Sequence, residues 1–566
     1  MIDPKETKLE SLEVGAVPLV ARFLKELDLE AILERHLPPK RLGRPEDLST
    51  AKTLEVMIAN ILLSRSPLYA VPGWLDGFVV EHFGLEPGQR RLFNDDRLGR
   101  ALDRLFRANL ASLTTDAVVT AIRQFELELR RMHNDSTSVT VHGEYAETEG
   151  RRGKEPPRIA FGYNKDHRPD LKQLLFELTV TADGAVPIHF ALHDGNVTDD
   201  QTHRQTWRIL RELVGGPSFV YVADSKLCVS ETMQMIHDEG GTFVSVLPRS
   251  RSEDGWFKDY LDDHLVPWEE VRRRPDPRDK KAPDVVHEAF ESPKRSKEGF
   301  RIFWYRCSKK REDDRNRRHH KTTAARTRIE ALENRSQRSR FRSVETAQEA
   351  AEKIVDDMGV ARFLKIRAVE RSYEEYAQDG PGRPGPNTRY KRADVSFVCF
   401  EISDDHEAIQ EAARHDGIFP LITNSEKLTA AETLDMYKYQ PFLEKRHEQL
   451  KSVLDVAPVF LKKPERVAAL LFLYFLALLI YSLVEREVRR QMKRRRVASL
   501  SLYPEARLCR APTADLVAAA FVGCRRHRLL GPDGEEIRVF HDPLSDVAKK
   551  LLELLDVDPA HYGIAK

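Results

Sequence analysis

The period of the apolar positions changes along the chain. From residue 16 to about 125 they recur every three to four residues, in VARFLKELDLEAILERHL, TAKTLEVMIANILL and RLGRALDRLFRANLASLTTDAVVTAIRQF. That spacing puts them on one face of successive helices. Pro38-Pro39 and Asn94-Asp95-Asp96 punctuate the run. The period then drops to two. His133 to His142 reads as a strand, Gln173 to Leu192 as two strands about the turn Ala182-Asp183-Gly184, Phe219 to Ala223 as a fourth and Thr242 to Leu247 as a fifth. Amphipathic helices over Asp200 to Val214 and near Ser230 to Asp238 separate the later strands.

Between about 250 and 410 the regularity is interrupted. RIFWYRCSKK (301 to 310), ARFLKIRAV and VSFVCFEI are strand-like, and a highly charged stretch runs from Lys309 to Arg342. GIFPLITNS returns to a strand, followed by helices from Thr429 to about Leu454 and from Pro464 to about Arg496. These shifts divide the chain into a helical N-terminal domain (1–125), a first α/β segment (126–250), an inserted β-rich domain with a charged helical segment (251–410), a second core segment (411–496) and a small C-terminal module (497–566). Val467 to Val484 reads VAALLFLYFLALLIYSLV, close to the ~18 residues a membrane span needs. Basic residues flank it on both sides, and a fully buried core helix accounts for the pattern better than a lone span.

At 566 residues the chain exceeds one compact core, and its 41% hydrophobic and 32% charged residues describe a globular, helix-rich protein. Ninety-one basic residues against 90 acidic ones leave a net charge of +1, so any nucleic-acid surface must come from local clusters. The five cysteines are scattered, with no CxxC pair, as expected of reduced thiols. The N-terminal Met1-Ile2-Asp3-Pro4-Lys5-Glu6 lacks a secretory pattern, so a cytoplasmic location is expected.

Asp135 lies on the first predicted strand and Asp224 ends the strand FVYVAD. Carboxylates at neighbouring strand ends can bridge hard cations, although aspartate after a strand also serves as a turn or cap residue. Tyr437, Gln440, Glu444 and Lys451 are spaced Y-x2-Q-x3-E-x6-K. At ~100° per residue all four fall within one ~60° stripe, which would present a phenol, an amide, a carboxylate and an ammonium together. Pro441 removes a backbone donor and should kink this helix or start a new one between Tyr437 and Gln440. Competing carboxylates are Asp183, read as turn chemistry, Asp194 and Asp199, read as turn and cap residues, Glu448, one turn past Glu444, and Glu485, the strongest rival.

Taken together, NDST around Asp135, VADSKL around Asp224, GIFPLITN, YKYQPFLEKRHEQLK and FLYFLALLIYSLVERE resemble the IS-four-like superfamily of DDE transposases, insertion-sequence enzymes with a Y-x2-R-x3-E-x6-K signature. Gln440 stands where that signature has arginine. The resemblance, over about residues 130 to 490, implies an α/β fold: an RNase H-like catalytic core interrupted by a mostly β insertion, in keeping with the strand and helix order above. It implies that Asp135, Asp224 and Glu444 chelate two Mg2+ ions, for which Mn2+ can substitute. Tyr437, Gln440 and Lys451 would contact phosphates near the cut. It further implies a homodimer acting on double-stranded DNA, both terminal inverted repeats and target, with a hairpin in the second-strand cut and no membrane. A metal-dependent nuclease without strand transfer, or a derivative that only binds DNA, are the competing readings.

Basic clusters mark the expected DNA footprint: Lys309-Lys310-Arg311, Arg315 to Lys321, Arg326, Arg328 and Arg335 to Arg342 in the insertion, Arg489-Arg490, Lys493, Arg494, Arg495 and Arg496, and Arg525 to Arg528. Glu312, Asp313, Asp314 and Glu330 are interspersed with the first group, as on a solvated, salt-bridged helix, and His319-His320 has no partners at metal-site spacing.

Overall fold

The computed structural model describes residues 7–39, 47–145, 154–162, 165, 168–197, 202–276, 279, 281–336, 341, 343–456, 459 and 461–564. In chain order these form β1 (Lys8–Glu13), α1 (Val17–Glu26), α2 (Leu29–His36), α3 (Thr50–Leu63), α4 (Val71–Asp76), α5 (Asp95–Arg107), α6 (Leu110–Phe125), β2 (Arg131–Val141), β3 (Lys172–Thr181), β4 (Pro187–His193), α7 (His203–Val214), β5 (Val220–Ala223), α8 (Ser230–Asp238) and β6 (Thr242–Val246). Next come α9 (Ser252–Asp263), β7 (Glu269–Arg274), β8 (Val285–Glu291), β9 (Arg301–Cys307), α10 (Ser308–Ser336), α11 (Val344–Asp357), β10 (Leu364–Gln378), β11 (Tyr390–Asp404), α12 (His406–Arg414) and β12 (Ile418–Thr423). The chain ends with α13 (Ala430–Tyr437), α14 (Gln440–Glu448), α15 (Pro464–Arg494), α16 (Ala514–Ala519), β13 (Arg525–Leu530), β14 (Glu536–His541) and α17 (Asp546–Leu555).

Two compact units result, one from residues 1–245 and 434–566, the other from 246–433. The N-terminal helices and the C-terminal module therefore belong to the same unit as the strands around Asp135. One cause is a pairing that local periodicity does not reveal: β1 runs antiparallel to β13, Leu12 opposite Arg526, and β14 completes the three-stranded sheet.

The larger sheet of the first unit has the order β4-β3-β2-β5-β6. β2, β3 and β4 are antiparallel neighbours, and β5 then β6 run parallel to β2. The helical connections α7 and α8 precede the two parallel strands, as parallel pairing requires a crossover. On one face of this sheet the Trp207 ring of α7 is fully buried and meets Phe219 at 6.3 Å. On the other face Phe190 of β4 stacks on Phe475 of α15 at 5.2 Å.

The 31-residue α15 carries the apolar run, with a mean hydropathy of 2.6 over its most apolar 18 residues, of which 89% are buried within the protein. It packs against α1, α3, α5, α16, α17 and β4, which is why it is apolar all round. At its start Arg466 is paired with Asp103 of α5 at 2.7 Å.

In the second unit the sheet order is β12-β9-β8-β7, all antiparallel. Phe257 of α9 stacks on Trp304 of β9 at 3.8 Å. Among its described residues this unit is not mostly β: α9, α10, α11 and α12 stand alongside its strands, and the strand expected over 301 to 310 ends at Cys307, with α10 beginning at Ser308. β10 and β11 form a separate two-stranded ribbon, and its base packs with Ala325 and Ile329 of α10, Ala347, Ala351 and Val355 of α11, and Ala412 of α12.

Candidate active site

Alternation along β2 sends His133, Asp135 and Thr137 to the face covered by α14 and α15, and Asn134 and Ser136 to the opposite face. The parallel register places Asn134 opposite Ala223. The next residues, Asp135 and Asp224, therefore stand at the same level of strands about 4.8 Å apart. Asp224 is half-buried; it caps the short turn Ser225–Leu227 by accepting from the Lys226 amide at 3.0 Å, and its carbonyl accepts from Ser245 Oγ at 2.6 Å.

Glu444 approaches from α14. One turn later on that helix, His447 is 7% exposed and puts Nε2 3.8 Å from Asp135 Oδ2. Tyr439 lies against His133 with ring centroids 4.8 Å apart. Tyr437, at the end of α13, is half-buried; burial raises its pKa, and the negative charges of Glu444 and Asp224 raise it further. Both carboxylates are thus felt at one hydroxyl, which stays protonated and able to donate. Asp135 and Asp224 follow paired positions of neighbouring strands, and Glu444 lies on α14, the helix that packs against β2. Among the described residues, no three His, Cys, Asp or Glu side chains already surround a common metal position. Glu444 is exposed on α14.

The candidate ligands at this end are carboxylates, hard oxygen donors that suit Mg2+ or Mn2+ rather than a thiophilic metal. Lys165 supplies a positive group beside them: Nζ lies 3.5 Å from Asp135 Oδ1 and donates to the Ser136 carbonyl at 2.5 Å. Neither Lys165 nor His447 stands out in the sequence as a candidate. Helical spacing alone could have found His447, which lies one turn beyond Glu444, whereas Lys165 sits in an irregular segment without a pattern.

The single helical stripe is not realised. Helix α13 ends at Tyr437, and α14 starts anew at Gln440 with Pro441 in its first turn, which is the break the proline requires. Residues Gln449–Val453 then form a π-helical turn, so the angle from Glu444 to the half-buried Lys451 also departs from 100° per residue. Gln440 is 6% exposed, and its carboxamide faces the His133 imidazole where α14 packs on β2. Burial lowers the His133 pKa to about 3, so that imidazole is neutral.

What holds α14 in place is the rival carboxylate. Glu485, 2% exposed on α15, accepts from Arg446 at 2.7 Å and from Gln449 Nε2 at 3.2 Å. Arg446 also donates to the carbonyls of Ala185 and Gly184 in the β3–β4 turn, at 2.9 and 2.7 Å, and to Gln449 Oε1 at 2.6 Å. A charge so satisfied is a structural anchor. The other competitors are occupied as well: Asp183 accepts from Arg486 Nε at 3.0 Å, Asp194 from the Arg158 amide at 2.7 Å, and Glu448 is exposed beside Lys445 at 3.8 Å. Asp199 and most of the Arg335 to Arg342 run lie outside the described residues. Lys493, Arg494, Arg495 and Arg496, at the end of α15, are all exposed, and Arg495 pairs with Glu553 at 2.7 Å.

On the reverse face of the strands that carry Asp135 lies a second polar cluster. Glu177 of β3 is 1% exposed and accepts from Asn134 at 2.9 Å and Thr206 at 2.5 Å, with His193 Nε2 at 2.6 Å. Burial pushes this carboxyl up, but the hydrogen bonds and the neighbouring His189 pull it down to about 2. It rigidifies β2 immediately before Asp135.

Residues 9–119 match a family described as a domain of unknown function, DUF4277. No curated protein matches the chain. Among solved structures, the chain is similar to a Mos1 transposase paired-end complex with left transposon end, at 11% identity and a TM-score of 0.14 over 36% of this chain. The chain spans 61% of the length of that transposase chain. A likeness at that level decides neither fold nor activity, which rest on the side chains and strand register of the site itself.

Proposed function

We propose that the chain is a DDE transposase of the insertion-sequence type, with an RNase H-like core, that cleaves the ends of its element and joins the 3′ ends to target DNA. The observation that carries this reading is the parallel register of β2 and β5, which sets Asp135 beside Asp224 under the helix that bears Glu444. The strand order β4-β3-β2-β5-β6, with the central strand between an antiparallel and a parallel neighbour, supports the RNase H-like reading.

Asp135, Asp224 and Glu444 would hold Mg2+ or Mn2+. Such ions supply activation of a water or 3′ hydroxyl nucleophile and stabilisation of the leaving oxygen. The chain's own residues do the positioning. Tyr437 donates from a protonated phenol, the Arg446–Glu485 pair holds α14 against the β3–β4 turn, and the exposed Lys493 to Arg496 cluster offers phosphate contacts. Lys165 neutralises Asp135 until cations enter. Action as a homodimer is part of the same proposal.

The test uses purified full-length chain, a plasmid carrying the gene with its flanking DNA, and Mg2+. Cleavage at the gene's borders is expected, with Asp135→Ala, Asp224→Ala and Glu444→Ala each lowering it by at least about a thousandfold. Pre-cut ends offered with a supercoiled target should yield joined product. Cleavage without joining would make the chain a nuclease, and border binding without cleavage in the unmutated chain would make it a DNA-binding derivative.

A further inference from the structure

We propose that the β10–β11 ribbon is a DNA-probing arm whose Arg383 and Arg389 contact duplex phosphates; this rests on the reading of the chain as an enzyme of DNA. The two strands pair without interruption from Leu364 opposite Asp404 to Gln378 opposite Tyr390. Only the base has a core: Leu364, Ala368, Val398 and Phe400 pack on α10, α11 and α12. From Arg371 to Ala377 on one strand, and from Tyr390 to Asp394 on the other, every residue is exposed. An isolated two-stranded ribbon with both faces wet is marginal in water. The base anchors this one, so its outer part extends roughly 24 Å, about seven residues at ~3.4 Å each. A ribbon of that width enters a major groove ~12 Å wide and ~8.5 Å deep.

Charge selects the occupant. Residues 380–392, GPGRPGPNTRYKR, contain Arg383, Arg389, Lys391 and Arg392 and no acidic residue. Lys391 is paired with Asp379 at 2.7 Å, and Arg392 with Glu374 at 2.7 Å and Asp394 at 3.6 Å. Glu375, farther down the ribbon opposite Ala393, is exposed too, so the excess of positive charge is confined to the tip, where Arg383 and Arg389 are exposed. Tyr376 and Tyr390 share a face with Arg392, 57% and 52% exposed. Glu374 and Asp394 lie on that face and hold Arg392, so the face offers flat rings for stacking on sugars and bases while the net positive charge sits at the tip. The tip is also preorganised. Thr388 donates from its amide to the Gly385 carbonyl at 3.0 Å, Gly385 donates to Thr388 Oγ1 at 2.7 Å, and Gln378 Nε2 donates to the Gly382 carbonyl at 3.0 Å. Pro381, Pro384 and Pro386 stiffen the loop further. Ordering entropy is therefore largely spent before contact.

The experiment measures binding of the full chain to a fluorescein-labelled 40-base-pair duplex of arbitrary sequence between 50 and 300 mM KCl. Variants are Arg383→Ala/Arg389→Ala and a chain in which 378–390 are replaced by Asn-Gly, a two-residue hairpin turn. Each lost phosphate contact lowers the slope of log K against log salt by ~0.9. The double variant should lower it by about 1.8 and weaken binding ten- to a hundredfold at 100 mM, while thermal unfolding stays at its wild-type value. A double variant with unchanged slope and affinity overturns the arm. So does a ribbon deletion that changes only the sedimentation of the chain, because the ribbon then serves contact between copies. If the wild-type chain itself fails to bind duplex DNA, the functional reading falls, and the arm with it; wild-type binding unaltered in the double variant removes the arm alone.

Discussion

Replacing Arg446 by alanine should release the helix that carries Glu444. The guanidinium makes four hydrogen bonds: to Glu485 Oε2, to Gln449 Oε1 and to the carbonyls of Ala185 and Gly184. Removing one partner of a buried ion pair costs about 3–5 kcal/mol, because the other charge is left buried. Here Arg489 remains 3.5 Å from Glu485 and the Ala514 amide donates to it at 3.3 Å, which favours the low end, about 3 kcal/mol. Two backbone carbonyls lose a donor as well, at about 1 kcal/mol or less each where water reaches them. The sum is roughly 4 kcal/mol, close to a thousandfold in a local opening equilibrium. Hydrogen exchange followed by mass spectrometry, on peptides covering 440–456 and 182–190, reads that equilibrium directly. The double variant Arg446→Met/Glu485→Met should exchange more slowly than Arg446→Ala, because it buries no lone charge. Exchange within threefold of wild type in Arg446→Ala, or a double variant no better protected than the single, would refute the anchoring role.

Lowering the pH should destabilise the first unit through Glu177. Its folded pKa, about 2, lies below the ordinary 4.5, so its contribution is complete above pH 4.5 and is lost as the pH falls from there towards 2. The change is about 3 kcal/mol at most, and Glu177→Gln should flatten unfolding midpoints measured across that window. Gly184→Ala should cost more than 1 kcal/mol in urea unfolding, since φ is +86° there and a Cβ would lie 2.9 Å from the Arg486 Cβ; a loss below 0.5 kcal/mol would contradict the packing. Lys493→Glu/Arg494→Glu should weaken duplex binding in a salt-dependent manner, with the salt slope falling by about 2; an unchanged slope assigns these exposed cations to solvent.

The strands around the site were legible as β-branched and apolar runs bounded by turn residues, short and wholly apolar in β5, and the Ala182-Asp183-Gly184 turn because a glycine is needed at positive φ. The long apolar helix was legible as core because its lack of a polar face matches its burial among six other elements. Pro441 announced the break before α14. It could not announce the π-helical turn at Gln449–Val453, whose cause is tertiary: Gln449 is drawn to Glu485 and Arg446. The same network removed Glu485 as a rival, a distinction invisible in sequence because an acidic residue reads alike whether it meets metal or arginine. The pairing of β1 with β13 spans most of the chain, and no local period encodes it. The charged run after Cys307 lacked apolar periodicity yet forms α10, held by Arg318 on Asp416 and by i, i+4 pairs such as Lys310 with Asp314.

Iron-directed backbone cleavage reads out whether Asp135, Asp224 and Glu444 share a metal site. Fe2+ occupying a Mg2+ site, with ascorbate and peroxide, cuts the polypeptide next to its ligands. The account predicts fragments ending near residues 135, 224 and 444 together, suppressed by excess Mg2+ and lost in Asp135→Ala. Cuts confined to other segments, or cuts near these three that persist in Asp135→Ala, would contradict it.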